Sequence, residues 1–230
     1  LHTAYRRQRQ MCIRDRYLLA SNLAEVISIF VMTLLGWEIL APIMILWINL
    51  VTDTLPAIAL GLEPAQKDAM TKKPRGRGAS FLSGGVGPAI IWQGILQAAI
   101  VLTVYGFALA YPVHAGETAA HQDALTMSFM TLGLMQMFNA INVKSVYGSM
   151  LGPQAFRNKL FNWALVGSLV VMAAVVVIPP LNPIFHVSHL DAYQWGIVLV
   201  AGISIILIVE LVKLVPVSYT HLTLPTICSV

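Results

Sequence analysis

Charge is what this sequence has least of. Only 10% of its 230 residues are Asp, Glu, Lys or Arg, where a soluble domain carries about 25%. With apolar runs near twenty residues long, that scarcity excludes a soluble enzyme and reads as a polytopic membrane protein. Cysteine is nearly absent. Cys12 and Cys228 lie near the two ends and none falls between them, so the body of the chain has no disulfide and no thiolate metal site. No G-x-x-x-x-G-K-[ST] phosphate loop occurs. The basic N-terminus is not followed directly by an apolar core and a small-residue cleavage site, so no secretory signal is expected.

The two ends share neither the composition nor the pattern of the middle. RRQRQMCIRDR within residues 1–16 and VSYTHLTLPT within 216–230 resemble translations of a common sequencing adapter, one for each strand. The expectation is three segments: 1–16 and 216–230 as adapter-derived artefacts, and 17–215 as the membrane domain. The formal charge of +4 comes from the first segment, where Arg6, Arg7, Arg9, Arg14 and Arg16 face only Asp15. It therefore argues for no nucleic-acid partner.

What is present is a succession of apolar segments. They run at about 17–35, 39–61, 88–111, 124–142, 160–178 and 193–214, each near the ~20 residues that cross a hydrocarbon core. The expected fold is an all-α membrane protein of six transmembrane helices, because a bilayer offers no partner for a free backbone amide. A tight turn at Gly36, Trp37 and Glu38 makes the first two helices antiparallel neighbours. Leu62–Gly87 reads as a solvated linker, a stretch holding Glu117 and Asp123 as a loop, and Pro179, Pro180 and Pro183 as a break. His114, His121, His186 and His189 fall in connections and read as solvated.

The nine Lys and Arg of the core all lie in the second, fourth and final connections, from Lys67 to Lys213. The alternate connections carry Glu38, Glu117, Asp123 and Asp191 instead. By the bias of basic residues toward the cytoplasm, both ends of the chain are cytoplasmic. The expected location is an integral, multi-pass position, with lipid as partner, in a bacterial plasma membrane.

Two carboxylates, Glu25 and Asp53, sit inside spans with no basic residue in reach. Each costs about 2.5–3.5 kcal/mol at the centre of a bilayer unless a proton, a cation or water meets it. Asn22 is three residues from Glu25, while Asn49, Thr52 and Asp53 are spaced i, i+3, i+4 as one polar stripe. Pro56 follows, removing a backbone donor. Gln136 and Asn139 add amides on the fourth helix. Carboxylates, amides and a hydroxyl are hard oxygen donors suited to calcium; without thiolate or imidazole they do not suit zinc or copper. The bland reading, a hydrogen bond between helices, is the better one for Asn139 alone.

At this point the sequence resembles a known family. YLLASNLAEV and LWINLVTDTLPAIALGLEP look like the fifth and sixth transmembrane helices of P-type calcium pumps of the sarco/endoplasmic-reticulum type and their bacterial relatives, and DAMTKKPR matches too. The resemblance, over about 17–215, implies helices five to ten of a ten-helix transport domain. It implies calcium as the transported ion, with Asn22, Glu25, Asn49, Thr52 and Asp53 as ligands and Asp53 shared between two sites. Gln136 stands where two-site pumps usually carry a glutamate, and Thr54 where a glycine is common. Asn49 stands where sodium/potassium pumps usually have aspartate, which favours calcium.

The resemblance also implies ATP and magnesium bound elsewhere, in the missing N-terminal half of the pump. That half would carry a DKTGT aspartate, the ATP-binding and actuator domains and a fourth helix with its own glutamate. None of these lies in this sequence. On this reading the complete protein is an enzyme and this segment alone is inactive. Two rivals stand beside it: a free-standing cation/proton transporter using Glu25 and Asp53 as proton sites, and a non-catalytic membrane subunit.

Overall fold

The computed structural model describes residues 2–61, 86–114, 116–144 and 158–214. All of the regular structure among them is helical: α1 (His2–Leu34), α2 (Pro42–Ile48), a π-helical segment (Asn49–Thr54), α3 (Leu55–Gly61), α4 (Val86–Ala110), α5 (Glu117–Lys144), α6 (Lys159–Val177), a 3₁₀ turn (Pro179–Leu181), α7 (Asn182–Phe185) and α8 (Ala192–Leu214). Six stretches are long and apolar enough to cross a membrane, with α2, the π segment and α3 acting as one span. The expected all-α fold of six spans is the fold observed. Most of the linker expected over Leu62–Gly87, and the 216–230 tail, lie outside the described residues.

The first connection is fixed by glycine. Trp37 N–H donates to the Met32 carbonyl at 2.9 Å and Gly36 N–H to that of Thr33 at 3.2 Å. This closure of a helix end needs a left-handed residue at Gly36, whose φ is +66°. The chain then stays irregular to Ala41, which is extended, and Pro42 opens α2. The second span so begins three residues later than the apolar run, since a residue before proline disfavours the helical region.

At the bundle's centre stands α5, enclosed along nearly its whole membrane length and packed on α1, α4, α6 and α8. The outer helices turn apolar side chains outward: Val26 and Phe30 on α1, Trp163 and Val170 on α6, Val200 and Leu207 on α8. Small residues set the closest approaches. A Cβ placed on Gly94 of α4 would lie 2.9 Å from Leu23 Cγ and Cδ2 of α1, and one on Gly202 of α8 would lie 3.1 Å from Leu134 Cβ of α5. Close backbone approach is how helices associate where lipid removes the hydrophobic drive.

The end of the bundle that carries the first, third and fifth connections corrects two expectations. Glu117 and Asp123 were expected in a loop, but α5 begins at Glu117. An acidic residue in a first turn faces the positive end of the helix dipole, so its charge does not delay the helix. Asp123 is buried, accepting from Ser188 Oγ at 2.7 Å and Gln194 Nε2 at 2.9 Å. Its other close partner is His114 Nδ1, 2.7 Å from Oδ2. Nor is His121 simply solvated: it lies in α5, half-buried, with Nδ1 3.1 Å from the Tyr105 hydroxyl. Tyr105 in turn stacks on Trp37, ring centres 4.7 Å apart. Asp123 thus clasps the third and fifth connections to the head of α8.

Two outcomes follow from this packing. Gly94→Val should drive α1 from α4 and cost about 1–3 kcal/mol, read as a lower thermal unfolding midpoint in detergent. The clasp gives stability a pH dependence. The hydrogen bond that His114 donates to Asp123, reinforced by the charge of the carboxylate, holds the His114 pKa above 6.5. A raised histidine pKa contributes stability that is complete below the unfolded value and is lost as pH rises through the folded one. Unfolding midpoints should therefore fall as pH climbs above 6.5, and His114→Gln should flatten that slope.

Candidate ion site

The centre of the second span is where the helix changes register. Pro56 has no N–H to give. In α register it would have served the Thr52 carbonyl four residues back, and in π register the Val51 carbonyl five back. Both carbonyls are instead met by side chains of other helices. The Tyr17 hydroxyl of α1 donates to Thr52 O at 2.7 Å, and Ser168 Oγ of α6 donates to Val51 O at 2.8 Å. In hydrocarbon such replacement is obligatory.

Around this segment the polar residues converge. Glu25, 5% exposed, accepts from two amides: Asn49 Nδ2 at 2.9 Å on Oε2 and Gln136 Nε2 at 2.8 Å on Oε1. The second proton of the Asn49 amide goes to Ile45 O, also at 2.9 Å. Gln136 Oε1 accepts from Thr52 Oγ1 at 2.6 Å. Thr52 Oγ1 also lies 2.8 Å from Ile48 O, and its one proton serves one acceptor at a time. Gln136 and Thr52 are both fully buried. One amide therefore joins three helical spans: it donates to α1 and accepts from the π segment, while belonging to α5.

Asp53, 4% exposed, completes the group. It lies beside the Tyr17 hydroxyl and within reach of Glu25. Its Oδ1 is buried and has no hydrogen-bond partner among the described residues. A buried carboxylate oxygen without a donor beside a second carboxylate is the environment a cation would relieve, and amide, hydroxyl and carboxylate oxygens are hard donors of the kind calcium takes.

Five of the six residues singled out in the sequence thus meet: Glu25, Asn49, Thr52, Asp53 and Gln136. Asn22 does not. It is exposed while Glu25 is buried, because three helical residues leave an offset of about 60° around the axis. That offset carries it onto the outward side with Leu19 and Val26. Asn139 is fully buried, but neither atom of its amide finds a partner among the described residues. Tyr17 and Ser168 were missed. The missing N–H of Pro56 signals that a carbonyl of the preceding turn needs another donor, but nothing in the sequence says which side chain supplies it.

With this geometry in view, the chain can be compared with known proteins. A family model described as "Cation transporting ATPase, C-terminus" matches residues 37–215. The chain belongs to the cation-transporting ATPases. The span it matches is the membrane part of such an ATPase, and it includes the π segment, α5 and α6. Among similar relatives, the calcium-transporting ATPase 1 of Bacillus cereus is 36% identical over 211 residues, covering 86% of this chain and 23% of the relative. A calcium-transporting ATPase of Plasmodium falciparum is 34% identical over 237 residues, covering 86% and 19%. An endoplasmic reticulum calcium ATPase of Aspergillus fumigatus is 30% identical over 226 residues, covering 86% and 23%. The chain therefore spans about a fifth of the length of these ATPases.

Gln136→Met keeps the bulk of the ATPase side chain but removes its amide, leaving Glu25 Oε1 without its donor. This should cost about 1–3 kcal/mol, measured as a lower unfolding midpoint in calcium-free detergent.

Proposed function

We propose that this segment forms the ion-binding part of an ATP-driven calcium pump, with Glu25, Asn49, Thr52, Asp53 and Gln136 supplying ligand oxygens. The observation that carries the reading is the burial of two carboxylates at membrane depth, Glu25 held by two amides and Asp53 with an oxygen that has no partner among the described residues. Two relatives that match most of this chain are named calcium-transporting ATPases and a third an endoplasmic reticulum calcium ATPase. Asn22, on the outward side of α1, completes the ligand set when the remaining half of the pump packs against that side.

The chemistry follows from the hydrogen bonds. Between ions, the Asn49 and Gln136 amides hold the Glu25 carboxylate by their N–H groups. A cation arriving between Glu25 and Asp53 offsets their repulsion and can draw the Thr52 hydroxyl oxygen toward itself. Amide rotation then exchanges N–H donors for carbonyl oxygens, so the same side chains serve the empty and the filled cage. Release toward the far side leaves the two carboxylates to protons, which take over the charge balance of the departed ion.

The energy comes from ATP with magnesium, both bound in the other half of the protein. The connections rich in Lys and Arg face the cytoplasm, which puts the clasp of Asp123 on the outer side. A bacterial plasma membrane is the proposed host.

In the complete pump, Asp53→Asn should abolish calcium-dependent phosphorylation from ATP while leaving the protein folded in the membrane. Phosphoenzyme that still forms with the calcium dependence of the unsubstituted pump would sink the ligand assignment.

A further inference from the structure

We infer that Ser168, on a helix that contributes no ligand to the cage, is a positioning residue for ion binding: its hydroxyl sets the direction of the Val51 peptide and through it the placement of Thr52 and Asp53. The inference rests on the proposed calcium site and adds to it a residue of α6.

Ser168 is fully buried and its Oγ donates to Val51 O at 2.8 Å. Pro56 has no N–H to give to either the Val51 or the Thr52 carbonyl, and the Val51 carbonyl is the one whose peptide leads directly into Thr52. A peptide is planar, so the direction of the Val51 carbonyl also fixes the direction of the Thr52 N–H and the start of the next residue. Thr52 bonds Gln136, and Asp53 carries the unpartnered oxygen. An angular error at Val51 is therefore passed to both within two residues.

The surroundings of Ser168 are tightly packed. One turn beyond Ser168, the Met172 side chain reaches Gly133 of α5 at a spot that a Cβ on Gly133 would occupy, and Thr52 Cγ2 lies 3.6 Å from the same spot. The absence of a side chain at Gly133 is what lets α6 sit this close. The helix is pinned again near its start, where Asn158 Nδ2 donates to Ala59 O at 3.4 Å. Two hydrogen bonds from Asn158 and Ser168, ten residues apart, thus hold the second span within the π segment and beyond it in α3. Without the hydroxyl, the Val51 carbonyl loses this donor, and a buried carbonyl without a donor is costly.

The test uses the complete pump in membranes and calcium itself as the probe. Ser168→Ala removes the hydroxyl. Ser168→Thr and Ser168→Val form a second pair of nearly equal shape, one with the hydroxyl and one without, which keeps the comparison valid if the smaller residue disturbs packing. The expected result is that the calcium concentration for half-saturation rises about five- to tenfold in the Ala and Val forms, as loss of one buried hydrogen bond implies. The Thr form should stay near the unsubstituted protein. A merely structural serine would lower the thermal unfolding midpoint of the Ala and Val forms and leave their calcium half-saturation unchanged, and that result overturns the inference. If the unsubstituted pump shows no saturable calcium binding, or Asp53→Asn binds as it does, the calcium site itself fails and this inference with it. If the unsubstituted pump binds calcium, Asp53→Asn does not, and Ser168→Val matches the unsubstituted pump, only the role of Ser168 is refuted.

Discussion

The missing N–H of Pro56 is the constraint on which the middle of this bundle depends. In water, an interrupted helix would hydrate its free carbonyls at small cost. At membrane depth each free carbonyl must find a protein donor, so the missing N–H and the change of register beside it become a demand on other helices. Tyr17 and Ser168 answer it. The second span is therefore not a rod against which others lean. It is a hinge of three short pieces, held open from both sides by hydroxyls.

That arrangement explains how two carboxylates coexist in an apolar interior. Glu25 is satisfied by amides from two different helices, whereas Asp53 keeps an oxygen in reserve. One carboxylate is tied into the scaffold, and the other keeps an oxygen that has no hydrogen-bond partner among the described residues. Gln136 is central to this division. A carboxylate in its place would add a third charge and, when ionised, could not donate to Glu25. The departure from the resembled pattern is thus matched by a hydrogen bond that only the amide can make.

Much of this was legible in the sequence, for stated reasons. The six spans were readable because apolar runs near twenty residues have one stable solution in a bilayer, and Glu25 and Asp53 stood out because charge there is rare. Boundaries failed where charge was taken as a sign of loop. Glu117 begins a helix and Asp123 lies buried within one, because a helix dipole and three partners satisfy them. The facing of Asn22 failed because an i, i+3 spacing fixes a sector and not a contact. The π register and the donors Tyr17 and Ser168 are long-range facts; Ser168 lies 117 residues from Val51, and no local pattern encodes that pairing.

The enclosure of α5 has a consequence for how the protein is made. This helix carries Thr126, Ser128, Thr131, Gln136, Asn139 and Asn142, all buried by its neighbours, and it is the least apolar of the six spans. As an isolated segment leaving a translocon it would partition weakly into lipid, since each polar group would meet hydrocarbon instead of a partner. Its residence in the membrane belongs to the assembled bundle and not to the segment. Biogenesis must therefore retain α5 beside α4 until α6 and α8 arrive, and a defect in those later helices would be felt first as loss of the central one.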